Sequence, residues 1–278
     1  QYRALIESSG RRLTRHRWEE HYDGMMTEHF VAGWVHRNYG FLERYDPDAQ
    51  TYERIEDEEI VADDAGGDFH ADWRWCPKAI SANERYLVMC ADPGDEFEYD
   101  YYFMLYDREN GRALWERGLW KGEFEEPGPA AVANDGTAAV VQEANLYMVE
   151  PDGELRFSLI WRDTGRYWTH LSMDAEGKYL LGRKSGNEKV WLYSGDGQLL
   201  WERPSRSHDK AGYLAVSPNG EYLAYADRQG PHVLRPDGTV LFELEGDEEL
   251  RHGNSIDVAN NGAFAYSLGN RIYYRELE

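Results

Sequence analysis

Two turn signals recur along this chain with one shared period, and that coincidence restricts its fold more than any other feature. The first series is ANDGTAAVV (133–141), DAEGKYLLG (174–182), SPNGEYLAYA (217–226) and ANNGAFAYS (259–267), with ANERYLVM (82–89) a looser member. Its glycines, Gly136, Gly177, Gly220 and Gly262, stand 41, 43 and 42 residues apart. The second series, ENGRALW, PDGELRF, GDGQLLW and PDGTVLF, runs between them, and Gly111, Gly153, Gly197 and Gly238 are spaced 42, 44 and 41 residues apart. Asp-Gly or Asn-Gly between apolar segments is a strong hairpin signal, because glycine takes positive φ with no Cβ to clash. Each period therefore reads as strand A, turn, strand B, loop, strand C, turn, strand D. One such unit, over 213–246, is YLAVS, EYLAYAD, PHVLRP and TVLFELEG. Strands such as KYLLG and VWLY are apolar at consecutive positions, as a sheet covered on both faces must be.

Four strands in a period of about 40–45 residues are the signature of β-propeller blades. A two-sheet sandwich, the competing architecture, gives no reason for both turn series to keep the same period. The expected fold is all-β, a six-bladed β-propeller of four-stranded antiparallel blades over 22–54, 78–118, 129–161, 170–204, 213–246 and 255–278. The last unit stops where its C–D turn would fall, while SSGRRLTRHRW (8–18) reads as a C–D turn followed by a strand D. Donating strand 11–18 to the last blade would close the ring and cover two exposed edges. RALIE (3–7) reads as a spare strand C, which keeps a seventh, incomplete blade open as the alternative.

The charge speaks about surroundings. With 52 Asp plus Glu against 30 Lys plus Arg, the formal net charge is −22, which repels nucleic-acid phosphates. Six of those bases are lysines, Lys78, Lys121, Lys178, Lys184, Lys189 and Lys210. The carboxylates are spread along the chain and not gathered in a tail. Their self-repulsion calls for counterions, and at molar salt screening acts over about 3 Å. The balance resembles that of haloarchaeal proteins, and the expected setting is the cytoplasm of an extreme halophile; the other reading is an acidic protein with a basic partner. No apolar run approaches the roughly 20 residues of a membrane span. Two cysteines, Cys76 and Cys90, make neither a disulfide framework nor a zinc site. They lie symmetrically about Asn83, so they are expected to face each other across two antiparallel strands, as packed thiols in a reducing compartment or as a bridge.

The strand-D endings GRALWERG (111–118) and GQLLWERP (197–204) resemble quinoprotein-like (PQQ-like) propeller repeats, and AVSPNGEYLAYA (215–226) is similar to repeats of WD40-like and protease-associated propellers. The resemblance covers residues 79–278 well and 1–78 poorly, and it implies a scaffold and not an activity. The chain departs from the active members of these groups. No period carries the Gly-His and Trp-Asp pair of WD40 repeats. Cys76 and Cys90 are not the adjacent pair that quinone-cofactor dehydrogenases use. SMDAEGKYL (172–180) has one residue too many before Gly177 for a glycosidase Asp-box and no Trp after it. Gly-x-Ser-x-Gly, His-Glu-x-x-His and Walker motifs are absent from the sequence. Trp115 and Trp201 recur at equivalent strand-D places, which assigns them to the core between blades.

In a four-stranded meander the A–B and C–D turns share one end and the B–C and D–A loops share the other. Here the tight glycine turns occupy the first end and nearly all length variation falls at the second, where binding residues concentrate on a rigid scaffold. The two largest connections, DEEIVADDAGGDFHADWRWC (57–76) and DPGDEFEYDY (92–101), are expected to form an acidic, aromatic lip. Asp68, His70, Asp72, Trp73, Trp75, Tyr99 and Tyr101 are its expected partner-binding residues, since exposed aromatic side chains make effective anchors. Arg166 and Trp168 of GRYWTH and Arg251 and His252 of LRHGN join them from other D–A loops. Asp63, Asp64, Asp68 and Asp72, around a Gly-Gly bend, are a candidate Ca²⁺ site through oxygen ligands, although their spacing matches no established calcium loop. His170, His208 and His252 stand 7, 12 and 10 residues before the following turn glycine and so share no common position, which argues against a histidine metal centre. The expected function is that of a non-enzymatic scaffold, without a cofactor, that binds a protein partner on its loop-rich face. The alternative is a metal-assisted hydrolase or lactonase-type enzyme with carboxylates at the channel mouth.

Overall fold

The computed structural model describes residues 2–6, 12–17, 24–26, 30–35, 39–46, 51–55, 75–91, 101–119, 128–142, 145–159, 168–184, 189–205, 213–227, 230–244, 256–268 and 271–277, with the backbone alone before Pro77 and at 91, 101, 118, 119, 142, 169 and 268. These residues form strands and turns. No helix among them is long and apolar enough to cross a membrane. The chain divides into two compact units, 1–143 with 148–156 and 144–147 with 157–278.

The first unit begins with β1 (Tyr2–Ile6) and β2 (Arg12–Arg17), which pair with each other as a two-stranded sheet. A four-stranded sheet follows, of β3 (Gly24–Met26), β4 (Phe30–Val35), β5 (Tyr39–Asp46) and β6 (Thr51–Ile55). A second is made of β7 (Trp75–Ile80), β8 (Tyr86–Ala91), β9 (Tyr101–Asp107) and β10 (Arg112–Leu119). The sheet of β11 (Ala130–Val132), β12 (Ala138–Gln142), β13 (Asn145–Val149) and β14 (Leu155–Leu159) is also four-stranded, and the division between units runs through β13 and β14. The second unit holds the four-stranded sheets β15 (Trp168–Met173), β16 (Tyr179–Lys184), β17 (Lys189–Ser194), β18 (Leu199–Pro204) and β19 (Leu214–Val216), β20 (Leu223–Asp227), β21 (Gly230–Leu234), β22 (Val240–Glu243). It ends in three strands, β23 (Ile256–Val258), β24 (Phe264–Leu268) and β25 (Arg271–Arg275). In every sheet neighbouring strands are consecutive in the chain.

Segment 11–18, expected as a fourth strand for the last sheet, instead supplies β2, which pairs with β1 from Tyr2↔Arg17 to Ile6↔Arg12. Pairing two strands a few residues apart costs less loop-closure entropy than joining opposite ends of a chain. The expected facing of the cysteines is present in the ladder: Cys76 is the register partner of Cys90.

Alternation explains how one strand serves two neighbours. Leu223 and Tyr225 of β20 meet Leu181, Val190 and Leu192 of the preceding sheet. Ala224 and Ala226, on the opposite face, meet Ile256, Phe264 and Tyr266 of the following one. Successive side chains of a strand point to opposite faces, so a run apolar at every position is buried on both. Each such leucine contributes roughly 2 kcal/mol by leaving water.

The turn glycines answer to a neighbouring sheet as well as to their own backbone. Gly136 (φ 91) and Gly220 (φ 69) lie in the left-handed region that L side chains avoid, and their N–H groups close the turns onto the carbonyls of Ala133 (3.1 Å) and Ser217 (2.8 Å). A Cβ at Gly136 would stand 3.2 Å from the Tyr86 ring, one at Gly220 3.2 Å from Tyr179, and one at Gly262 2.9 Å from Tyr222. Tyr86, Tyr179 and Tyr222, each following an A–B turn, therefore pack on the next turn glycine. At the C–D turns the same relation holds between Gly153 and Trp115 (3.2 Å), Gly197 and Phe157 (2.9 Å), and Gly238 and Trp201 (3.8 Å). Trp115 is buried, and the half-buried Trp201 donates Nε1–H to the Pro236 carbonyl at 2.9 Å.

Polar side chains tie the A–B turns together within each unit. Asn83 donates its backbone N–H to Asn134 Oδ1 (2.7 Å) and its amide to the Asn134 carbonyl (3.1 Å). Asn219 repeats both bonds with Asn260 at 2.7 and 3.0 Å. Ser81 and Ser217 donate to the Oδ1 of these asparagines and accept the N–H of Tyr86 and Tyr222.

Candidate functional site

Two strands of the second unit, β16 and β20, begin in apolar or aromatic residues near their glycine turns and finish in charge at the loop end. β16 closes with Arg183 and Lys184, 4% and 1% exposed, and β20 with Asp227, 4% exposed. Charges so deeply placed are tolerated only when paired and hydrogen-bonded. Lys184 Nζ sits 4.5 Å over the Trp168 ring, a cation–π contact strengthened by desolvation. Trp168 fits there because Gly182 lacks a side chain; a Cβ would lie 2.4 Å from the indole. Trp191 meets Trp168 edge-on, with ring centroids 6.0 Å apart.

The second half of the cluster spans three strands. The register pairs Tyr225 with His232 and His232 with Glu243, which places one residue from each of β20, β21 and β22 side by side. Buried His232 directs Nε2 at Asp227 Oδ1 (3.1 Å) and Nδ1 at Glu243 Oε1 (3.3 Å). The Tyr225 ring stacks on the imidazole at 4.5 Å and 16°. Burial pushes the Tyr225 phenol up to about 12. Burial likewise lowers the Arg183 guanidinium to about 10, while the Asp227 carboxylate pulls it the other way. Arg203 donates to the Gly238 carbonyl at 3.0 Å.

This arrangement fixes charge and orientation. Both imidazole nitrogens of His232 face carboxylates, so neither is turned toward a substrate or a metal. Among the described residues no group of three or more His, Cys, Asp or Glu could hold a metal ion.

The sequence-predicted residues distribute as follows. Trp75 and Tyr101 open β7 and β9, and the ladders Trp75↔Ala91 and Ala91↔Tyr102 bring them to the same end of one sheet, on either side of β8. Trp168 is 1% exposed; where a ligand contact was expected, its ring lines the core over Gly182 and supports Lys184. Asp63, Asp64, Asp68, His70, Asp72, Trp73, Tyr99, Arg166, Arg251 and His252 lie outside the described residues. His170 meets Tyr213 edge-on at 4.9 Å. Sequence reasoning missed Arg183, Lys184, Asp227 and His232. The signal was available in LLGRK and EYLAYAD, where apolar strands finish in charge without a turn residue between.

No protein-family model and no curated protein matches the chain. Among solved structures it is similar to the β-propeller domain of Cps50 (Swd1) from Myceliophteria thermophila, at 13% identity and a TM-score of 0.53, over 84% of this chain and 77% of that one. At this identity the likeness shows the fold alone: an all-β β-propeller with antiparallel four-stranded sheets.

Proposed function

We propose that the protein is a non-enzymatic scaffold that binds a protein partner on the end of its sheets where the B–C and D–A loops emerge. The single observation that carries this reading is the contrast between sheet ends. Short turns bonded to one another fill the A–B and C–D end, while the connections 56–74, 92–100, 120–129, 160–167, 205–213 and 244–255 all leave from the other. Such connections on a rigid support are where recognition resides. The proposed contact residues are Asp68, His70, Asp72, Trp73, Trp75, Tyr99 and Tyr101, with Arg166, Arg251 and His252. The scaffold is a six-bladed propeller, and the acidity suits the cytoplasm of an extreme halophile.

The test is affinity capture of the tagged full chain from its own organism's lysate at molar salt, with mass spectrometry of what co-purifies. A stoichiometric protein partner, lost in the Trp73→Ala/Trp75→Ala variant while the variant keeps its unfolding midpoint, supports the reading. Recovery of the chain alone overturns it.

A further inference from the structure

We propose that Cys76 and Cys90 are a redox modification site, at which a two-electron oxidant closes a disulfide across β7 and β8. The two residues are register partners. Directly opposed residues of an antiparallel ladder share a face of the sheet with Cα atoms about 4.5–5.5 Å apart, inside the roughly 4.4–6.8 Å that a disulfide spans. The bond therefore forms on the existing backbone.

Its position gives it a consequence. Trp75↔Ala91 is the last pair of this ladder and Cys76↔Cys90 the next one in, so the bond would sit at the root of the connections 56–74 and 92–100. The ladder is weakest there: β7 is an edge strand, Pro77 has no N–H to donate, and the register shifts between Pro77 and Ala79. A covalent tie would hold strand A to strand B where hydrogen bonding does so least.

Cys90 is buried, which favours a small oxidant, and hydrogen peroxide suffices. One sulfur attacks peroxide; the O–O bond breaks, leaving a sulfenic acid and releasing water. The second sulfur displaces the sulfenic hydroxyl, which leaves as water with the second thiol proton. Two thiols are oxidised to one disulfide, and one peroxide is reduced to two waters.

Purified full chain at molar salt is treated with peroxide, alkylated, digested with trypsin without reduction and analysed by mass spectrometry. The expected product joins peptide 75–78 to peptide 86–108 within one chain and disappears after dithiothreitol. Cys76→Ser abolishes it and leaves Cys90 trappable by dimedone as a sulfenic acid. Alkylation of both cysteines after peroxide, sulfinic acid on either without the cross-link, or linkage only between chains overturns the site. Coupling of the bond to partner capture rests on the function proposed above. The peptide map reads the bond alone, so either can fail while the other stands.

Discussion

The two ends of the sheets in the second unit are built by different rules. At the glycine end, one local solution is reused: a positive-φ turn receives the aromatic ring of the preceding sheet, as in Gly220 with Tyr179 and Gly262 with Tyr222. At the loop end nothing repeats. Lys184 stands on Trp168, whereas His232 bridges Asp227 and Glu243, and each contact belongs to one sheet. Repetition spreads stability over many equivalent small contacts, and the unrepeated end concentrates it in a few buried charges. Altering the two ends should therefore give effects of different size.

The largest effect is expected at the loop end. Asp227→Ala removes the acceptor facing His232 Nε2 and the carboxylate acting on Arg183, breaking a buried charged pair. Breaking a buried pair in this way costs about 3–5 kcal/mol, and Asp227→Asn, which keeps an acceptor, should recover part of it. Urea unfolding at molar salt measures both. A loss under about 1 kcal/mol for the alanine variant would show that the cluster is not an energetic unit and remove the contrast. At the glycine end, Gly262→Ala places a Cβ 2.9 Å from Tyr222 at φ 83. Left-handed backbone alone costs about 1–2 kcal/mol, so a smaller loss of about 2 kcal/mol is expected by the same measurement.

The difference between ends also decides what could be read from sequence. The A–B and C–D turns announce themselves because the same steric demand recurs from period to period and glycine meets it at every described turn but the one at Glu84. The strand assignments follow, since the sheets they link are apolar at successive positions. The loop end offers no such redundancy. Trp168 has the composition of an exposed loop aromatic, and only the missing side chain of Gly182, fourteen residues on, assigns it to the core. His232 likewise acquires its partners through a three-strand register that no local pattern states. The pairing of β2 with β1 was hidden by an analogy with strand D that ignored how cheaply neighbouring strands find each other.

Acid should separate two carboxylates of the glycine end that differ in sign. The Arg85 guanidinium, with Asn110 assisting, holds Asp107 down to about 2, through bonds of 3.1 and 2.8 Å. Its stabilising contribution is present above the ordinary carboxylate range and lost as pH falls from 3.8 toward 2. Partial exposure of Arg85 limits it to about 1–2 kcal/mol. Asp174 is raised, chiefly by burial, against backbone N–H bonds from Tyr179 and Glu176. Its ionised form is a cost that persists above the raised value and vanishes below the ordinary one. Arg85→Ala should therefore flatten the acid limb of the stability curve. Asp174→Ser, which copies Ser217, should raise stability at neutral pH and not at acid pH. Equal slopes in both variants would remove the distinction.

The smallest effect probes the one turn that breaks the glycine rule. Glu84 has φ 61, the only positive φ outside glycine among the described residues, and it occupies the looser member of the first turn series. Its turn still closes as the others do: its N–H donates to the Ser81 carbonyl at 2.8 Å, and its carbonyl accepts Arg108 Nη1 at 2.6 Å. The backbone thus adopts the repeated geometry despite a Cβ that opposes it. Glu84→Gly relieves that strain but adds freedom to the unfolded chain, and the two offset in part. A net gain of about 0.5–1 kcal/mol in urea unfolding is expected, with the Asn83–Asn134 bonds unchanged. A loss would mean that contacts of the Glu84 side chain outweigh the strain. The glycine end would then contain one position built by the rules of the other.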